Sequence, residues 1–311
     1  MITLNQFIIQ AKHPKLNSDD GFIILMTVLE NAVKMIETHV SKMGLADLME
    51  KTTDVNSSGE EIKKIDQVAN DILVKMLSES GQISRLASEE VEEMIYTPYP
   101  KAPYEIYFDP LDGASNINIG GMLGVIFSIY HSGPKGSLPR GEEQIAAGYV
   151  LYGSSTVLVY ATHDGVNGFT LDPASGCFLL SHINMTMPQK ALYYSINEGY
   201  ANHFSDKTNR FLANIKKAGT IKGRNLGCMC ADFHNALING GVYLYPANKK
   251  DPQGKIRLMY EINPMSFIAQ VAGGAASADG QDPLKILPPS LHQKMDFVVG
   301  SKDIVFEYAV L

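Results

Sequence analysis

The segment Phe108-Asp109-Pro110-Leu111-Asp112-Gly113-Ala114-Ser115-Asn116 sets two carboxylates around a Pro-Leu pair and then runs into small residues. Carboxylates leaving a strand end together can face one cation. The Leu111 carbonyl can add a neutral oxygen, and the Gly113 and Ala114 amides can meet a phosphate oxygen. Taken alone, the same residues read better as an ordinary Asp-Pro and Asp-Gly turn. Two more acidic positions bear on the choice: Ser88-Glu89-Glu90 follows another strand-like run, and Glu60, Glu61 and Asp66 open a helical stretch. Carboxylates that converge raise one another's pKa and need divalent cations to be tolerated. Left apart, Glu60 and Glu61 would only complement a helix N-terminus, and Glu89 and Glu90 would be solvated surface.

The elements that must position these residues are visible in the apolar periodicity. Phe22, Leu25, Val28, Leu29, Ala32, Val33, Ile36, Val40 and Met43 recur at three- and four-residue intervals and predict a long amphipathic helix over 21–43. Residues 51–59 read as a polar loop, and Ile62 to Leu77 as a second helix. The period then changes: 83–87, 104–108, 123–130 and 145–160 are β-branched or aromatic runs that predict strands, with hairpin chemistry over 164–176. Beyond about residue 184 the pattern predicts strands over 192–196, 242–245 and 297–299 and helices over 206–217, 231–237 and 264–272. An α/β architecture of two units follows, 1–185 and 186–311.

Across its 311 residues the chain has 45% hydrophobic residues, 19% charged residues and a formal net charge of -7, which excludes a disordered chain and disfavours nucleic acid or an anionic membrane as partner. No run of about 20 apolar residues and no basic leader is present, so a cytoplasmic protein is expected. The three cysteines are Cys177 and the close pair Cys228 and Cys230, too tight for a metal knuckle and expected to be reduced thiols. His163, His234 and His292 assemble no recognisable metal spacing, and no Gly-rich nucleotide loop occurs.

Together with the blocks Ala87-Ser-Glu-Glu90, Ile126-Phe-Ser-Ile-Tyr130, Ala146-Ala-Gly-Tyr-Val-Leu-Tyr-Gly-Ser-Ser155, Ser195-Ile-Asn-Glu-Gly-Tyr200, Leu244-Tyr-Pro-Ala-Asn-Lys-Lys250 and Gly254-Lys-Ile-Arg-Leu-Met-Tyr-Glu-Ile-Asn-Pro-Met265, the acidic motif resembles the class I fructose-1,6-bisphosphatases over nearly the whole chain. The short metal motif is shared with inositol monophosphatase relatives. The resemblance implies a layered α-β-α-β-α sugar-phosphatase fold with the active site between two α/β domains. It implies that Glu60, Glu89, Asp109, the Leu111 carbonyl, Asp112 and Glu261 hold two or three Mg²⁺ ions, Mn²⁺ being the alternative. Asp66 and Glu90 match the pair that orients and deprotonates the attacking water. Gly113, Ala114 and Ser115 would bind the reacting phosphate. Asn197, Tyr200, Met229, Tyr245 and Lys255 would hold the sugar and its second phosphate, helped by Arg224 from a neighbouring subunit of a homo-oligomer, a tetramer in the family. The implied reaction is metal-assisted hydrolysis of fructose 1,6-bisphosphate, a step of gluconeogenesis.

The chain departs from the family pattern at several places. Asn225 replaces a phosphate-binding Tyr, Ala114 a Ser and Asn118 an Asp, and Gly120-Gly121 loosens the next stretch. At the AMP site of inhibited relatives, Pro103, His131 and Ile23 replace a Lys, an Arg and a Thr, while Tyr104 is kept, so AMP inhibition is expected to be weak or absent. Asn225 keeps open a related bisphosphatase acting on sedoheptulose bisphosphate. Asn118 and the Gly pair keep open a non-catalytic sugar-phosphate binder.

Overall fold

In the computed structural model, residues 1–10, 20–45, 50–55 and 61–311 are described. Their elements run α1 (Leu4–Gln10), α2 (Asp20–Val40), β1 (Lys51–Val55), β2 (Glu61–Lys63), α3 (Lys64–Glu79), β3 (Ile83–Ser88), β4 (Ile95–Tyr96), β5 (Tyr104–Asp112), β6 (Leu123–His131), β7 (Ala146–Tyr152), β8 (Thr156–Thr162), β9 (Gly165–Asp172) and β10 (Cys177–His182). They continue with β11 (Tyr193–Ser195), α4 (Asp206–Ala218), β12 (Lys222–Gly223), α5 (Met229–Asn239), β13 (Gly241–Tyr245), β14 (Ile256–Arg257), α6 (Asn263–Val271), β15 (Ala275–Ser277), β16 (Lys294–Met295), β17 (Phe297–Gly300) and α7 (Lys302–Val310).

An eight-stranded sheet has the order β10-β9-β8-β7-β6-β5-β3-β4, and a five-stranded sheet the order β12-β11-β13-β17-β15. Three apolar clusters separate the layers. The first joins Phe22, Leu25, Leu29 and Ile36 of α2 and Leu73 of α3 to one face of the large sheet. In the second, Met229 and Phe233 of α5 and Met265 and Ile268 of α6 fill the space between the two sheets. Phe211 and Ile215 of α4 and Val305 of α7 cover the outer face of the small sheet in the third. The sequence of layers is therefore helices, sheet, helices, sheet, helices, the α-β-α-β-α arrangement expected from the sequence.

The differences from the sequence reading have local causes. Residues 145–160 form two antiparallel strands, β7 and β8, because Gly153-Ser-Ser155 turns the chain between them. Lys51–Val55 is a strand paired with β2 rather than loop, in keeping with its Thr-Thr and Val content; 56–60 lie outside the described residues. The first long helix stops at Val40, three residues earlier than its apolar pattern, and 41–45 form turns. The short terminal helices α1 and α7 offer too few turns to show a period.

Candidate active site

Parallel pairing of β3 with β5 sets Ser88 beside Phe108, and the Glu89 amide donates to the Phe108 carbonyl at 3.1 Å. The chain leaving β3 thus carries Glu89 and Glu90 to the place where β5 presents Asp109. On its other side β5 slips register against β6, Asp109 facing Ile126 and Asp112 facing Gly124. Three steps on β5 oppose two on β6, a bulge at Pro110-Leu111. In a regular strand an odd separation of three would send the two carboxylates to opposite faces. The extra residue turns both toward one cavity of about 330 Å³, lined also by Glu89, Glu90 and Leu111.

Glu261 arrives from the far side of the cavity, in a π-helical turn over Leu258–Ile262 that runs directly into α6. Carboxylate oxygens of Glu89, Asp109 and Glu261 all lie within 4.8 Å of one another. Burial raises the Asp109 pKa well above the carboxylate range, and Glu89, Asp112, Glu261 and Glu90 raise it further. Burial and then Glu89 do the same to Glu261, against the opposing charge of Arg257. Arg257 is 4% exposed, ion-pairs with Glu89, and its backbone amide donates to Glu261 Oε2 at 2.7 Å. One guanidinium among this many carboxylates leaves excess negative charge, and an all-oxygen donor set of this kind fits a hard dication.

Asp66 stands at the start of α3, where its Oδ2 accepts from the Lys63 amide at 3.0 Å. Its Oδ1 is buried with no hydrogen-bond partner among the described residues, and burial pushes the carboxyl up to about 6. Both Asp66 and Glu90 line the cavity. Glu60 lies outside the described residues, so its placement as a metal ligand has no structural account.

The Asp112 carboxylate is held differently from the trio. Its Oδ1 accepts from the Met229 amide at 3.1 Å, and its Oδ2 from the Cys230 amide at 2.7 Å and the Cys228 thiol at 3.0 Å. It caps the first turn of α5, where the helix dipole favours an anion. The Met229 amide is therefore engaged with Asp112, and the residue lines the cavity. Gly113 has φ +95°, and a Cβ there would stand 3.0 Å from the Cys228 Cβ and from the Met122 carbonyl. Only glycine takes this left-handed position while packing so closely on α5. Ala114 and Ser115 follow in a short 3₁₀ turn on the cavity wall, and Lys63 Nζ donates to the Ala114 carbonyl at 2.9 Å.

At the opposite end are Asn197, Tyr200, Tyr245 and Lys255. Asn197 caps a 3₁₀ turn, its Oδ1 accepting from the Gly199 amide at 3.0 Å, and Tyr200 is 38% exposed. Tyr245 is half-buried, and burial raises its phenol so that it stays neutral. Arg224 is absent from the cavity of its own chain. Its guanidinium lies 4.3 Å from the Tyr193 ring centroid and donates to Asn235 Oδ1 at 3.2 Å.

Sequence reasoning missed Arg257, Asp232 and the cysteine pair. Arg257 reads as part of a solvated basic stretch, although Lys255 and Arg257 share the two-residue strand period that aims both inward. Asp232 lines the cavity with both oxygens on the Leu226 amide, at 3.0 and 3.1 Å, and burial pushes it up to about 6.

Residues 2–183 match the family described as the N-terminal domain of fructose-1-6-bisphosphatase, and residues 187–311 match its C-terminal domain. The chain belongs to the fructose-1,6-bisphosphatase family. It is 43% identical to the class 1 fructose-1,6-bisphosphatase of Sulfurihydrogenibium sp. over 96% of this chain and 94% of that one. The class 1 enzyme of Chlorobaculum tepidum is also 43% identical, over 96% and 93% of the two chains. Leishmania major fructose-1,6-bisphosphatase in holo form superposes with a TM-score of 0.93 at 31% identity, covering 99% of each chain.

Proposed function

We propose that the protein hydrolyses fructose 1,6-bisphosphate to fructose 6-phosphate and inorganic phosphate, the usual place of such an enzyme being gluconeogenesis. The observation that carries this reading is the Glu89, Asp109 and Glu261 trio opening into the same cavity as the Lys255, Tyr245 and Tyr200 end, so that one molecule with two separated phosphates can engage both. In this reading Glu89, Asp109, Glu261 and the Leu111 carbonyl would hold Mg²⁺, with Asp112 and Glu60 completing the set and Mn²⁺ as substitute. The chemistry that such cations supply is charge neutralisation at phosphate and activation of water.

The chain's own residues do the rest. Asp66 Oδ1, buried and not engaged by another described group, is the atom that accepts the proton of the attacking water, and a carboxyl near 6 is deprotonated at neutral pH. Glu90 orients that water. The Gly113, Ala114 and Ser115 backbone cradles the reacting phosphate, and the Lys255 ammonium with neutral phenols holds the phosphate that is not cleaved. Arg224, directed away from its own cavity, would serve the cavity of a partner subunit in a tetramer. The chain divides at 1–185 and 186–311, with the cavity between the two units.

The test is product analysis with purified protein: Mg²⁺-dependent release of one phosphate, leaving fructose 6-phosphate, abolished by a chelator and by Asp112→Asn. Faster hydrolysis of sedoheptulose 1,7-bisphosphate would favour the second reading, for which Asn225 speaks, since its short amide donates to Ser195 Oγ at 3.1 Å on the cavity wall. Binding without turnover of either would sink both.

A further inference from the structure

The cysteine pair that sequence spacing dismissed gains a third ligand when the chain folds. Oxygen and sulfur atoms of Asp112, Cys228 and Cys230 lie within 4.8 Å of one another, with the Cys228 thiol already 3.0 Å from Asp112 Oδ2. Gly124 makes room for one of the sulfurs: a Cβ there would sit 2.4 Å from Cys230 Sγ. The α5 amides of Met229 and Cys230 fix the carboxylate from the other side, so its orientation toward the thiols does not depend on solvent. Cys228 lines the cavity, giving a path of entry, and Cys230 lies behind it.

We propose that Asp112, Cys228 and Cys230 form a site for a thiophilic dication of the Zn²⁺ or Cd²⁺ class, separate from the oxygen trio of Glu89, Asp109 and Glu261. Two sulfurs and one oxygen suit a borderline-soft ion and do not suit Mg²⁺. On binding, each thiol gives its proton to solvent, so two protons leave per ion and the complex carries one negative charge in excess; the fourth position faces the cavity. Because Asp112 would be drawn onto this ion and a second dication would stand beside the hard-cation site, occupancy should inhibit turnover. That consequence, unlike the binding itself, rests on the proposed phosphatase reading.

The experiment uses the full chain with excess Mg²⁺ and titrates Cd²⁺, following the ultraviolet thiolate-to-metal charge-transfer band. The expected result is one equivalent per chain with the intensity of two thiolates. Affinity should fall at least tenfold in Cys228→Ser and in Cys230→Ala and be unchanged in Cys177→Ser. Phosphate release should be lost with the same midpoint as the band appears. X-ray absorption of the Zn²⁺-loaded parent chain needs no variant, and should find two sulfur neighbours at about 2.3 Å. A band that survives in the double variant, that vanishes with Cys177, or that never forms would overturn the site, as would one sulfur or none around Zn²⁺. Full band formation with undiminished phosphate release would overturn the inhibition alone. The binding arm requires no turnover, so it is decided even if the proposed substrate is wrong.

Discussion

At one end of the cavity carboxylate oxygens of Glu89, Asp109 and Glu261 crowd within 4.8 Å of one another beside Arg257; at the other, Tyr200 is 38% exposed and Lys255 is half-buried. The first end is built against its own stability. Burial and mutual repulsion raise the pKa of Asp109 and Glu261, so charging both carboxyls is costly to the fold. The second end lacks such a buried carboxylate trio, and the phosphate proposed to bind there would meet ordinary donors. On the proposed function the first end needs a cation and the second does not, which divides the expected effects of substitution.

The largest effect should come from Asp66→Asn, which keeps an acceptor for the Lys63 amide and removes the base: kcat falls roughly 10²- to 10⁴-fold with KM little changed, in steady-state phosphate release. Next, Arg257→Met strips the buried partner of Glu89. Urea unfolding of the metal-free protein should lose about 3 kcal/mol, because an uncompensated buried charge remains. At the recognition end, Lys255→Ala should raise KM roughly 10- to 100-fold with kcat within twofold, since a charge-assisted hydrogen bond to a non-reacting phosphate contributes about 1.5–3 kcal/mol to both ground and transition states. A comparable fall in kcat would erase the division between the ends.

The smallest effect lies away from the cavity, where Asp296 accepts from the Asp279 amide and its own amide donates to Asp279 Oδ1 at 3.2 Å. Burial is the main cause that pushes Asp296 up to about 6 from 3.8. A folded pKa above the unfolded one means stability that is full below 3.8 and lost as pH rises toward about 6. Asp296→Asn should therefore melt about 2 °C higher than the parent at pH 7, with the gap narrowing as pH falls to 4. A gap independent of pH would point to packing instead.

The helices α2 and α3 and the central strands were legible because each keeps one period long enough to register. The two carboxylates of the acidic motif were legible as residue types, yet their common direction was not: strand alternation alone sends Asp109 and Asp112 apart, and only the bulge at Pro110-Leu111, a property of pairing with β6, reverses this. Arg257 was hidden by its company, since Lys255 beside it gives the look of a solvated stretch while the fold leaves Arg257 4% exposed. The cysteine pair was read by its own spacing, and its third member, Asp112, stands 116 residues away from Cys228. Distances of that kind are set by α5 packing between the two sheets, which no local window contains.

Whether the acidic trio is held at a cost that a hard cation offsets is decided by melting the parent and Asp109→Asn with and without Mg²⁺. Asn keeps the acceptor for the Leu111 amide, now 2.9 Å from Asp109 Oδ1, and removes one repelling charge. The account predicts that the metal-free variant melts above the parent, by roughly 2–4 °C for about 1 kcal/mol of relief, and that Mg²⁺ reverses the order by stabilising the parent alone. A variant that melts below the parent in chelator, or that gains as much from Mg²⁺ as the parent does, would contradict it.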